Sequence, residues 1–402
     1  MEFRPILSAM LRNKTGVFLV GLQIALTLAV VANAVFIIMQ RLDKINTPHG
    51  IDTPNLIFVQ SYGFGPNYDH RDTVRRDLDM LRAMPGVVAA TSSNGIPMSG
   101  GGSSSNYSAS TDPRQPRTNA NYYEVDEQGL KALGVKLLDG RGFREDEVQY
   151  NPNPSNSDFV PSVIITRSVA EQIFGTEAAV GKTIYDGLGQ SATVVGVIDN
   201  MLNAWITNDN PTNVLFAPRV PNGPVVRYAI RTEPGRRDAL IPEIERALAD
   251  SNTNRAINFV RPHDYYVAKI YKGDSRMVIF LSVIIALMIA VTALGIVGLA
   301  SFHVNVRTKQ IGTRRAIGAR RIDIIRYFMV ENWMLTTGGV ALGTLLAFAF
   351  GYWLSVTYAL PRLQPMYVAV GVVALWILGQ LAVFVPARRA AAIPPAIATR
   401  TV

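Results

Sequence analysis

Four long stretches of this chain, residues 15–40, 277–306, 332–361 and 363–387, contain no Asp, Glu, Lys or Arg. Each is long enough for the roughly 20 residues that carry a helix across a bilayer core. Such a chain reads as an integral membrane protein, with spans placed at 15–40, 277–303, 332–360 and 366–386. Between the first two spans lie roughly 235 residues, enough for a core of their own.

Lys and Arg near spans favour the cytoplasmic side. The short flanks on one side carry Arg4, Arg12 and Lys14, then Arg307, Lys309, Arg314, Arg315, Arg320, Arg321 and Arg326, then Arg388, Arg389 and Arg400, against only Glu2, Asp323 and Glu331. The opposite side has only Arg362 in its short loop, 361–365. Both termini are therefore expected to be cytoplasmic, with the loop 304–331 and the tail 387–402, while 41–276 lies outside. That external segment holds 25 Lys and Arg against 27 Asp and Glu, so the formal +9 is an asymmetry across the membrane. No basic face remains for nucleic acid.

Residues 1–14 place Phe3, Ile6, Leu7, Met10 and Leu11 at helical spacing, which suits a cytoplasmic interfacial helix, or else a positive flank that sets orientation. Ala32, Asn33 and Ala34 match a signal-peptidase triplet, but the apolar run continues through Met39, too long for a signal peptide.

The external segment lacks cysteine, so an ordinary core must stabilise it. After a stretch rich in Pro, Gly and Asn (48–67), a helix is expected at 71–84, a strand at 87–91 and a mobile loop at 99–105, SGGGSSS. Strands are expected at 162–166, 192–198, 213–217 and 225–231, and helices at 127–133, 168–174 and 237–250, with a helical stalk near 264–276. The pattern predicts an α-helical membrane protein with four transmembrane helices and a large α+β extracytoplasmic domain, of one lobe or two, inserted between helices 1 and 2.

Catalytic patterns are missing. GTEAAVGKT (175–183) has five residues between its first Gly and Gly-Lys where a phosphate loop needs four, and it follows a helical rather than a strand signal. It reads as a helix ending at Gly175, a turn and a strand. His49, His70, His263 and His303 lack metal-ligand spacing, the acidic run Glu145, Asp146, Glu147 reads as a solvated surface, and no nucleophile elbow occurs. The chain is read as a non-enzyme, with no cofactor or metal of its own. Its spans lack the ionisable groups that ion-coupled carriers keep within the bilayer, apart from His303 at a cytoplasmic end. Gly295, Gly298 and Ser301 on span two and Gly339 and Gly343 on span three permit close helix packing, within the chain or in a dimer.

The basic loop carries a resemblance. VNVRTKQIGTRRAIGARRIDIIRYFMVENWML resembles the signature of MacB-like and FtsX-like permeases, in which a span is followed by R-T-x-E-I-G-[IL]-R-[RK]-A-[LI]-G-A, a short amphipathic helix and another span. Gln310 stands where the pattern has Glu, and Thr313 where it has an aliphatic residue. The tail PARRAAAIPPAIATR resembles that family's close, and LKALGVKLLDGRGFREDE, SVIITRSVAEQIFGTEAAVGKTI and ATVVGVIDN resemble elements of its periplasmic core domain.

The resemblance implies a permease subunit of a type VII ABC transporter in a bacterial inner membrane. A separate ATPase chain would hold ATP and Mg and drive the external domain by mechanotransmission, for export or efflux. In the alternative, the same motion activates a periplasmic cell-wall hydrolase. A second permease copy, identical or different, and a periplasmic membrane-fusion protein are implied partners. ATPase coupling is assigned to Arg307, Lys309, Gln310, Ile311, Gly312, Arg314, Arg315, Ala316, Gly318 and Ala319. A basic helix at 311–317 with Gly318 as its stop would dock in the ATPase, Gly312 and Gly318 permitting turns. Ile322, Ile325, Tyr327 and Phe328 would pack on the membrane interface.

Overall fold

The computed structural model describes residues 14–112, 114–150, 160–221, 223–358 and 361–394. The leader helix expected of 1–14 and the end of the tail fall outside the described residues, apart from the backbone of Lys14.

The first apolar run forms helix α1, Lys14–Ile45. The chain then continues through β1 (Leu56–Gly63), α2 (His70–Ala83), β2 (Val87–Ser92), β3 (Ser103–Tyr107), β4 (Thr118–Val125), α3 (Gly129–Leu133), β5 (Leu137–Gly140), β6 (Gln149–Tyr150), β7 (Ser162–Thr166), α4 (Arg167–Phe174), β8 (Thr183–Tyr185), β9 (Ser191–Ile198), β10 (Val214–Val220), β11 (Val225–Thr232), α5 (Arg237–Ser251), β12 (Arg255–Pro262) and α6 (Asp264–Ile270). After Tyr271 come α7 (Lys272–Val306), α8 (Thr308–Ala316), α9 (Arg321–Tyr358) and α10 (Pro365–Ala391). The chain divides into a globular unit, Thr47–Lys272, and a helical unit made of the rest.

The globular unit has two sheets, one in the order β12-β1-β11-β2 and one in the order β3-β4-β10-β7-β9-β5. Leu78 and Leu81 of α2 and Leu240, Ile244 and Leu248 of α5 cover the first sheet at Val59, Tyr228 and Ile230. Val169 and Ala170 of α4 cover the second at Val163, Val194 and Leu215. A third cluster, including Leu56, Phe58, Tyr123, Ile164 and Phe216, joins the two sheets.

Local signals explain most boundaries. Asp69 accepts the Asp72 amide and caps α2, and Pro85 and Gly86 follow its end. Gly175, at φ +65°, ends α4 before the turn to β8.

Two expectations are corrected, and one stretch that carried no expected element proves to hold a strand. The stretch 48–67 holds β1, whose first six residues are fully buried, because it pairs with β11 on one side and β12 on the other. The polar run 99–105 leads into edge strand β3, which pairs through its backbone with β4 from Ser103 to Tyr107. Within the acidic run, Glu147 is not solvated: Arg141 binds it through two nitrogens at 2.7 Å, and Arg144 donates its amide at 2.9 Å. The Arg141 hydrogen bonds pull its carboxyl down to about 2.

A hydrogen-bonded chain ties the start of the globular unit to its end. The Pro97 carbonyl can only accept, so His263 carries its proton on Nε2 (3.0 Å). Its Nδ1 must then accept from Thr53 Oγ1 (3.0 Å), and Thr53 accepts from His49 Nδ1 (3.1 Å). His263 is fully buried, and desolvation lowers its pKa from 6.5 to about 4. Above pH 6.5 the ring is neutral folded or unfolded. As pH falls from 6.5 towards 4 only the unfolded chain gains the proton, so folding loses about 3 kcal/mol. We expect the protection factors of the β1 and β12 amides, that is exchange corrected for its intrinsic pH dependence, to fall from pH 7 to 4.5 in the full chain in nanodiscs, and His263→Gln to remove most of that dependence.

Among the described residues, four helices are long and apolar enough to cross a membrane: Thr15–Ile45, Lys272–Val306, Arg321–Tyr358 and Pro365–Ala391. Span one is central, with Ile24 and Leu28 buried among Ile296, Leu335, Val340, Leu375 and Val383. Asn33 donates to the carbonyls of Ala29 (2.8 Å) and Ala347 (3.0 Å), and Thr27 bonds Thr292 (2.7 Å). At its far end, Arg41 (2.5 Å) and Lys44 (3.3 Å) pair with Asp274 at the start of α7.

Three of the four packing glycines meet other helices of the same chain. A Cβ on Gly339 would lie 2.9 Å from the Gly21 carbonyl oxygen, and one on Gly343 2.9 Å from Ala25 Cα, so both let α9 lie against α1. Gly295 faces the Gln23 side chain; only Gly298, of the four, faces open space. The dimer contact considered for Gly339 and Gly343 is thus an intramolecular one.

Candidate functional site

The basic loop is a folded element. Its helix α8 begins at Thr308, three residues before the expected start, and Gly312 lies buried inside it rather than at a turn. The helix ends as the sequence predicts. Gly318 adopts φ +106°, its amide donates to the Arg315 carbonyl (3.2 Å), and the Ala319 amide reaches back to Arg314 (3.0 Å). This 6→1 and 5→2 pair is the Schellman arrangement. The chain then turns directly into α9, where the Asp323 carboxylate accepts the Arg320 amide at 2.9 Å. The segment 321–331 is therefore the first turns of the third long helix, not a separate interfacial piece.

One face of α8 packs inward. Ile311 joins Val304, Ile324, Phe328, Ala387, Ala390 and Ala391 in a core at the ends of α7, α9 and α10. Phe328, expected on the membrane interface, is buried here, whereas Ile322 is exposed.

The cations divide sharply. Arg307, just before α8, donates to Glu331 Oε2 (2.9 Å) and to the Tyr327 hydroxyl (3.1 Å). His303 Nδ1 lies 3.2 Å from Glu331 Oε1, so one buried carboxylate joins the start of α8 to α9 and lies against the end of α7. Arg315 donates to the carbonyls of Ala391 (3.0 Å), the last residue of α10, and Ile393 (2.9 Å), just beyond it. The outer surface is left to Lys309, Gln310, Thr313, Arg314, Ala316 and Ile317, which share one side of the helix. Arg314 sits 5.3 Å from the Tyr327 ring centroid, and Ile317, 83% exposed, is the most protruding apolar side chain at this end.

Sequence reasoning missed Glu331, counting it only as a flanking charge. The available signal was a carboxylate at the edge of one apolar run and an arginine at the edge of another. Their meeting depends on the loop conformation, which spacing does not reveal. Among the described residues, no group of three or more His, Cys, Asp or Glu is placed to hold a metal. His70 bonds the Pro221 carbonyl, and His49, His263 and His303 are engaged as described.

Two family profiles match the chain: the MacB-like periplasmic core domain over residues 15–247 and the FtsX-like permease C-terminal domain over 282–395. Relatives include the macrolide export ATP-binding/permease protein MacB of Chromobacterium violaceum, 25% identical over 292 residues, covering 70% of this chain and 43% of that protein. MacB of Aggregatibacter actinomycetemcomitans is 25% identical over 359 residues, covering 86% and 52%. The chain thus spans about half the length of the relatives it matches. Among solved structures, the periplasmic region of MacB from Actinobacillus actinomycetemcomitans aligns with TM-score 0.37 at 17% identity, over 57% of this chain and 97% of that one. With the first profile covering more than half of its residues and the second most of its remaining helices, the chain belongs to the family of ABC-transporter permeases built from a MacB-like periplasmic core domain and an FtsX-like membrane domain.

Proposed function

We propose that this chain is a permease that couples ATP hydrolysis in an ABC ATPase to movement of its periplasmic domain, for export of a periplasmic or membrane-embedded substrate. ATP and Mg belong to that ATPase. The carrying observation is the two-sided α8: its inner side is bonded to α9 and to the end of α10, while Lys309, Gln310, Arg314 and Ile317 project outward. A helix that only attracted anionic lipid would need neither a fixed inner face nor a Schellman stop that presents Ile317.

The bonds of Arg307 and Arg315 narrow the contact surface. Both are holding residues, so docking falls to Lys309, Gln310, Arg314 and Ile317, with the local fold set by Ile311, Gly312, Ala316, Gly318 and Ala319. The charge asymmetry supports a cytoplasmic side for this helix and an external one for the core domain. The second span, α7, is the least covered of the four, with Leu287, Leu294 and Gly298 facing out, and a second permease copy is the occupant we assign to that face.

Arg314→Glu with Ile317→Asp is expected to abolish co-purification of the co-expressed ABC ATPase while insertion and melting stay native. Undiminished co-purification would defeat the docking claim. Arg315→Glu is a poor substitute, since it would also release the tail.

A further inference from the structure

We infer that Glu331 is a positioning residue that makes α8 and the third span a single rigid lever. The geometry carries this. The Glu331 carboxylate is buried at 7% side-chain exposure, and its two oxygens face different partners: Oε2 takes Arg307 at 2.9 Å and Oε1 faces His303 at 3.2 Å. Arg307 also reaches Tyr327, one turn earlier on α9. The root of α8, where it leaves α7, is thus fixed to two successive turns of α9. Its other end is held by Arg315 on the carbonyls of Ala391 and Ile393.

A helix pinned at one point can swivel; one pinned at both ends, with Ile311 seated between, cannot. A push on Arg314 and Ile317 therefore displaces α9 as a body. The buried side is the costly one to break, because removing one member strands a charge away from water. The tie is also specific: no other acidic residue lies between Asp323 and the end of α9. As a statement about force transmission this rests on the docking proposed above; as a statement about rigidity it does not.

The absence of native cysteine allows a direct test in the full chain. Nitroxides on Ile317→Cys and Leu345→Cys, in nanodiscs without any ATPase, report the distance between the helix tip and mid-span. We expect one narrow distribution for the otherwise native chain, several-fold broadening in Glu331→Gln, and partial narrowing again in Glu331→Asp, which keeps the charge. Glu331→Gln with native width would overturn the lever. If Glu331→Gln fails to yield monodisperse particles, Arg307→Gln breaks the same tie and leaves His303 on Glu331; there too, native width refutes the inference and broadening supports it. Loss of ATPase binding in the Arg314/Ile317 variant is a separate readout, so failure of docking and failure of the lever are distinguishable.

Discussion

Asp77→Ala is expected to cost the periplasmic domain about 3–5 kcal/mol, because it leaves a guanidinium buried without its counter-charge. Arg255 is fully buried and Asp77 nearly so. Arg255 grips both Asp77 oxygens, one of them at 3.0 Å, and also donates from Nε to the Leu248 carbonyl at 2.8 Å. Asp77 accepts besides from Tyr228 (2.5 Å) and Ser251 (3.3 Å), so one carboxylate joins α2, β11, α5 and β12. Burial, then the neighbouring carboxylate, raises the Tyr228 pKa well above its usual value, which keeps the hydroxyl a donor. Since a domain of this size is stable by about 5–15 kcal/mol, such a loss should expose the α2, α5 and β12 amides to exchange. The reciprocal variant discriminates: replacing Asp77 by Leu together with Arg255 by Met removes both charges and should recover much of the loss. Equal protection in native and Asp77→Ala protein would show that the pair contributes little.

The second large effect is expected in the membrane. Gly343→Leu should separate α1 from α9, since even its first carbon would lie 2.9 Å from both the Cα and the carbonyl oxygen of Ala25, and backbone cannot rotate away. Overpacking typically costs about 1–3 kcal/mol, with the upper end expected for Leu and the lower for Gly343→Ala. Gly298→Leu provides the contrast, because nothing lies within 4 Å of its missing Cβ. Unfolding titrations in mixed micelles should therefore rank Gly343→Leu well below native protein and leave the Gly298 variant level with it. A Gly298 effect confined to self-association would place the second copy on α7.

Much of the architecture was legible because lipid imposes a simple rule on composition, and the four charge-free runs obey it. Strands β9 and β11 were also legible, each ended by turn residues, as was β7, a β-branched run that passes straight into α4. Strand β1 was not, since LIFVQSYG sits between Pro54 and Pro66 and its burial comes from β11 and β12, which lie far along the chain at Val225–Thr232 and Arg255–Pro262. Strand β3 has no apolar alternation, and only the backbone of β4 makes it a strand. At the basic helix, the residue types pointed to docking but could not separate neighbours. Arg314 and Arg315 are adjacent and chemically identical, yet helical phase turns one outward and the other onto the tail.

The pairing of β1 with β12, in which Ile57 faces Pro262, puts the first and last strands of the periplasmic domain side by side, with chain entry and chain exit at the same end. Adjacent strands lie about 4.8 Å apart. A domain whose ends leave so close together is a cassette: it can be enlarged, exchanged or lost between two helices without prying them apart. Exchange of that unit would leave the contact of α8 with α9 untouched, because Arg307, Tyr327 and Glu331 all belong to the helical unit.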